Sequence, residues 1–206
     1  METQIMSGTK EKILTTALRL FARNGYEAVS VSMIAYELGI TKGALYKHYK
    51  NKRAIFECII KRMEEMDIAR AKEYEMPEGD INETASDYAR VSLDKIKKYT
   101  KAQFRYWTEE EFSSDFRKML TLEQYGSGEM AKLYQQYLAA GPLKYMEDIF
   151  RVITDEQTDA RRLALEFYGP VFLLYSVYDE AEDKQAVLEA LERHVERFST
   201  ELKNDI

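Results

Sequence analysis

Residues 39–52, GITKGALYKHYKNK, hold four lysines, one histidine, two tyrosines and no carboxylate. Ammonium groups, hydroxyls and the free N–H groups of a helix start are the donors that bind phosphate oxygens, and a carboxylate among them would be repelled. The rest of the chain makes this segment unusual, because its 206 residues carry 30 Lys and Arg against 36 Asp and Glu. Residues 1–62 have eleven bases and five acids, a net charge of +6, which leaves −12 on residues 63–206. A basic third on an acidic body can divide labour: the first meets a polyanion and the second is repelled by it. Charge alone is explained equally well by a solvated helical surface of uneven charge.

Other chemistry finds little to work with. The two histidines, His48 and His194, lie far apart in sequence, with no His-Glu-x-x-His pattern and no cluster spaced for a metal. Cys58 is the sole cysteine and sits in no nucleophile motif. YGSGEM (125–130) follows no strand and lacks the Gly-Lys-Ser/Thr of a phosphate loop. The expectation is a protein that is not an enzyme and holds no metal or cofactor. A single cysteine fits a reducing compartment, and METQIMSGTKEK has no apolar signal core. The longest uncharged run, residues 167–178, has twelve residues, against roughly 20 for a bilayer span. These features predict a soluble, cytoplasmic protein with no membrane segment.

The basic segment needs elements to position it. Gly and Pro are scarce, at 9 and 3 residues, and helix formers abound, so the chain reads as all-α. Residues 10–24 place Ile13, Leu14, Ala17, Leu18 and Phe21 on one helical face, with Thr9 as cap and Asn24-Gly25 as the end. Ser30 caps a second helix, VSMIAYEL, in which Ile34 and Leu38 are four apart. Gly39 suits the left-handed residue that ends it, Ile40 packs beneath, and Thr41 caps a third helix of roughly two turns, KGALYKH. Two short helices joined by a glycine turn form a helix-turn-helix. The second of the pair enters the major groove. Its outward positions are Thr41, Lys42, Gly43, Tyr46 and Lys47, while Leu45 turns inward. Gly43 lets the helix approach base edges, and Tyr46 reaches a phosphate or a thymine methyl. Lys52 opens the next helix and offers another phosphate contact. Tyr49 reads as a buried ring whose hydroxyl reaches either phosphate or water.

ILTTALRLFARNGYEAVSVSMIAYELGITKGALYKHYKNKRAIF, within residues 10–56, resembles the TetR family of bacterial transcriptional regulators. The resemblance rests on A-L-x-L-F-x-x-x-G-Y, I-A-x-x-L-G-I and K-G-x-L-Y-x-H-Y-x-x-K at fixed spacing, with Tyr49 where the family usually has Phe. It implies a three-helix head at residues 1–53 that contacts double-stranded DNA through Ser30, Thr41, Lys42, Gly43, Tyr46, Lys47, Tyr49 and Lys52. It also implies a larger helical ligand-binding and dimerisation body at 54–206, a homodimer on a two-fold symmetric operator, and repression relieved by a small molecule.

In the body, Asn51 caps a helix to about Tyr74, Asp80 and Glu83 read as a capping pair for a helix over 81–99, and another covers 101–111. Further helices follow from about 113, up to Gly141, and from Pro142 to about Val152. Thr154 and Gln157 read as a capping box for a helix over 155–178, and the last helix spans 183–203. The penultimate helix is apolar nearly all round, and the last has an apolar stripe. Paired across a two-fold axis they make a four-helix interface, with Leu165, Phe172, Leu173, Val187, Leu191 and Val195 as its candidates. Aromatics and methionines of the middle suit an apolar pocket with a few polar anchors. The candidates are Phe104, Trp107, Phe116, Met119, Tyr125, Tyr137, Phe167 and Tyr168, with Glu123 or Glu166 able to select a cation if turned inward. The competing reading is an all-helical, protein-binding adaptor without sequence-specific DNA binding.

Overall fold

A computed structural model describes residues 2–77, 88, 90–155 and 157–205, with side chains for residues 8–77, 88, 90–155 and 157–203. Every element among them is an α-helix. They divide into two compact units: residues 1–66 with 111–133, and residues 67–110 with 134–206.

The first unit begins with α1 (Glu2–Asn24). The helix starts before Thr9, so that residue lies inside it rather than at its cap. Ile13, Leu14, Ala17, Leu18 and Phe21 are buried as the spacing requires. Gly25, at φ +84°, ends α1 with its N–H on Phe21 O at 2.9 Å. α2 (Val31–Glu37) is capped by Ser30, whose side chain accepts from Met33 N–H. Gly39, at φ +64°, makes the turn that glycine tolerates without strain. α3 (Lys42–Tyr46) is capped by Thr41 and is only five residues long, shorter than the two turns expected. α4 (Lys52–Glu73) starts where Asn51 Oδ1 accepts from Ala54 N–H at 2.8 Å. Its residues Ile55, Phe56, Ile59 and Met63 are fully buried. α5 (Leu93–Glu109) lies outside this unit, and the chain returns with α6 (Glu111–Glu123), which packs on α1 through Phe112, Phe116, Met119 and Leu120.

The second unit contains α5, α8 (Ala140–Ile153), α9 (Ala160–Glu180) and α10 (Lys184–Asp205). α7 (Gly128–Leu138) bridges the sequence between α6 and α8. The expected break near residue 100 is absent, since α5 is continuous over Leu93–Glu109. Ser92 caps it, accepting from Lys95 N–H at 3.2 Å. The Asp80/Glu83 pair and most of the start of the 81–99 helix lie outside the described residues. Thr154 caps nothing at its own N-terminal side: its hydroxyl donates back to Phe150 O at 2.7 Å, ending α8. α9 begins later, with Asp159 Oδ1 accepting from Arg162 N–H at 3.0 Å. A side chain one residue before the helix meets that N–H, and Thr154 is too far upstream to do so.

The core of this unit is aromatic. Phe150, Phe167 and Phe198 meet with centroids 4.9–5.7 Å apart, and Phe104 stacks on Tyr175 at 5.0 Å. At its edge, Lys101 bridges Glu192 and Glu196 at 2.8 and 2.9 Å, tying α5 to α10.

Candidate nucleic-acid interface and ligand cavity

The head presents a surface free of carboxylates at α3. Thr41, Lys42, Gly43, Tyr46 and Lys47 are all exposed, while Leu45 is fully buried and anchors the helix. Tyr46 is 44% exposed, with Lys42 Nζ 5.8 Å from its ring centroid. Gly43 has no structural need to be glycine. A Cβ there would meet only Thr41 Oγ1, at 4.0 Å. A helical glycine costs up to about 1 kcal/mol relative to alanine, and no contact within the protein offsets that cost here. On α2, Met33 and Tyr36 are exposed, the latter to 87%. The sequence reading missed them, although both fall on the helix face opposite buried Ile34.

Two expected phosphate contacts have partners within the head. Tyr49 is buried and its hydroxyl donates to Lys10 O at 3.3 Å. Burial pushes that phenol up to about 12. Lys52 Nζ donates to Tyr26 O at 2.8 Å and sits 4.2 Å from the Tyr26 ring centroid. Ring face and carbonyl together hold the ammonium against the turn that follows α1. Ser30 is exposed, and its Oγ accepts from Met33 N–H at 3.2 Å.

The second unit holds an open cavity of about 660 Å³, within the range of drug-sized ligand sites. Trp107, Tyr137, Phe167 and Tyr168 line it, as the aromatic content suggested. Phe104 is fully buried one layer behind, stacked on the lining residue Tyr175. Phe116 and Met119 are core residues of the first unit, and Tyr125, also there, is 92% exposed. Composition cannot separate Phe116 and Met119 from the lining, because only the packing of α6 on α1 buries them elsewhere. Neither proposed glutamate reaches the cavity: Glu123 accepts from Tyr26 N–H, and Glu166 pairs with Arg162 at 2.7 Å.

The polar groups of the wall come from elsewhere. Asp67, Thr100, Gln103 and Gln136 line the cavity together with Tyr99, Tyr145 and Tyr175. Tyr168 Oη donates to Leu138 O at 2.8 Å, and Tyr145 Oη to Pro77 O at 3.0 Å. Gly141 is wedged against Gln136, where a Cβ would fall 1.9 Å from its carbonyl oxygen. Asp67 escaped the sequence reading because it lies among the charges of MEEMDIARAKE, where nothing marks one acid as buried.

α9 is amphipathic in a different sense from that expected. Leu163, Phe167, Val171 and Tyr175 are buried, but Leu165 and Leu173 are 52% and 63% exposed, with Phe172 and Val177 also outward. Val187, Leu191 and Val195 of α10 are buried at 6% exposure or less, so they belong to the chain's own core rather than to an open face. The α10 stripe packs on α9 within one chain. Among the described residues no helix is long and apolar enough to cross a membrane.

The model of bacterial regulatory proteins of the tetR family matches residues 13–59, which span α1 to the first turns of α4. The uncharacterized HTH-type transcriptional regulator YerO of Bacillus subtilis (strain 168) is 28% identical over 216 residues, covering 98% of this chain and 69% of the relative. A transcriptional regulator from Aquifex aeolicus VF5 superposes with a TM-score of 0.63 at 19% identity, covering 91% of this chain and 98% of that one. SmeT in complex with triclosan superposes with a TM-score of 0.61 at 19% identity, covering 92% and 91%. The helix-turn-helix head, the family match over residues 13–59 and the likeness to YerO along the chain together indicate a transcriptional regulator of the tetR family.

Proposed function

We propose that the protein is a repressor that binds a two-fold symmetric operator as a homodimer through α3 and is released by a small apolar or aromatic molecule. The observation that carries the reading is the exposed α3 surface of Thr41, Lys42, Tyr46 and Lys47 around a glycine the fold does not require. Thr41 and the N–H groups of the helix start suit a phosphate, and Tyr46 and Lys42 reach base edges. Ser30, at the start of α2, adds a second backbone contact. Lys52 acts through the turn it holds, and Tyr49 through the packing of the head.

Leu165, Phe172, Leu173 and Val177 form the outward face of α9, and a second copy would cover them. Such a dimer sets two heads about one helical turn of DNA apart, roughly 34–36 Å. The cavity supports a ligand-responsive body, as does SmeT, whose solved complex contains triclosan. A ligand shifts the equilibrium only by its preference for the released state.

The test is a titration against duplex DNA flanking the protein's own gene, at two salt concentrations, with Tyr46→Ala beside the wild type. Tight, salt-sensitive binding that outcompetes random DNA and collapses in the variant is expected. Binding no better than to random DNA, unchanged by the substitution, would overturn the reading.

A further inference from the structure

The cavity has one feature that an apolar effector does not explain. Asp67 lines it, and Asp67 Oδ1 is buried with no hydrogen-bond partner. A buried carboxylate oxygen left alone destabilises the fold, so an unpaired one inside a ligand-sized cavity points to a partner from outside. Among the described lining residues, Asp67 is the only ionisable group besides tyrosines; no Lys, Arg, His or Glu lines the cavity.

Two groups face Asp67 from its surroundings. Arg70 lies one turn on along α4, but its guanidinium stacks on the Tyr106 ring, donates to Gln103 Oε1 at 3.4 Å and does not line the cavity. Gln103, from α5, lines the cavity beside Asp67 and hydrogen-bonds its carboxylate. The rings of Trp107, Tyr137 and Tyr168 line the same cavity. Aromatic faces carry negative potential and attract cations, most strongly when water is excluded. A carboxylate with one oxygen left unpaired, in an aromatic wall, is complementary to a positive charge on an apolar frame.

We infer that the effector is an organic cation, an aromatic molecule whose protonated or quaternary nitrogen sits against Asp67 Oδ1 with its rings among Trp107, Tyr137 and Tyr168. This rests on the reading of the cavity as the effector site. Burial pushes the Asp67 carboxyl up to about 7, and Arg70 and Gln103 only partly offset the shift. The carboxylate form binds a cation and the protonated form does not. Binding of a fixed-charge cation therefore expels a proton, and its affinity rises as pH climbs through about 7. A neutral ligand that accepts a hydrogen bond from the protonated acid would show the opposite slope.

The probes are 10-methylacridinium, a permanent cation, and acridine, the same ring system uncharged at pH 8. Each is titrated by fluorescence into the full chain and into Asp67→Asn, without DNA. Wild-type affinity for 10-methylacridinium should rise about tenfold between pH 6 and pH 8, the change in ionised Asp67 over that interval. Asp67→Asn should abolish the slope and weaken 10-methylacridinium by about tenfold at pH 8, while leaving acridine unchanged. A melting curve of the variant confirms that it folds. No binding of 10-methylacridinium, a flat wild-type profile, or equal loss for both probes would overturn the inference. Operator release separates the two readings. Release by uncharged compounds alone sinks the cation and keeps the regulator. Asp67-dependent cation binding that never releases DNA keeps the cation site and sinks the effector reading.

Discussion

Glu123 Oε1 accepts a hydrogen bond from the backbone N–H of Tyr26 at 2.7 Å, across 97 residues of sequence. The carboxylate thereby holds the turn that follows Gly25, so α6 serves the head it packs against. Glu123→Ala leaves that N–H without its acceptor. A loss of about 1–3 kcal/mol in unfolding free energy is expected, read by urea denaturation, with acridinium affinity unchanged. An unaltered midpoint would mean that water replaces the carboxylate at no cost.

Gly43→Ala separates folding from DNA contact. Nothing in the protein obstructs the added methyl, and alanine is better in a helix by up to about 1 kcal/mol. The variant should melt at or above the wild-type temperature and bind operator more weakly. Equal operator affinity would show that α3 does not approach the bases at this residue.

Tyr49 and Lys47 should part company. The Tyr49 hydroxyl is spent on Lys10 O, so Tyr49→Phe costs about 1 kcal/mol of stability at most and leaves the salt dependence of DNA binding alone. Lys47 is exposed on α3. Lys47→Ala should lower the slope of log affinity against log salt by about one. A changed slope in Tyr49→Phe would place its hydroxyl on a phosphate after all.

Leu173 is 63% exposed on α9. Leu173→Glu should therefore leave the fold intact, as read by circular dichroism, and shift sedimentation from dimer to monomer. A variant that sediments as the wild type does would move the interface off this face.

Asp67 sets a dependence of stability on pH. Its folded-state pKa of about 7 stands above the ordinary 3.8, so the unfolded chain gives up the proton first. The native state then loses stability as pH rises from about 4 to about 7 and stays reduced beyond that. The penalty is at most about 4 kcal/mol. Asp67→Asn removes it, and the gain in melting temperature should be larger at pH 8 than at pH 5. A gain independent of pH would mean the carboxyl titrates as if solvated.

The head was legible because its signals are local. Ser30, Thr41 and Asn51 cap helices within three residues of themselves, Gly39 takes the positive φ its turn needs, and Ile13 to Phe21 recur at helical spacing. Sequence also determined that the chain is helical and that the surface of α3 is basic. Tertiary structure decided which side each remaining group faces. Phe116 and Phe167 are equally aromatic, yet α6 turns one onto α1 while the other lines the cavity. Val195 and Leu173 are equally apolar, yet one is buried inside the chain and the other is left outside. Glu123, Glu166 and Asp67 are all acids in charged stretches, and only packing takes Asp67 out of water. Side-chain type fixes what a group can do, but burial and partners are set by helices far away in sequence.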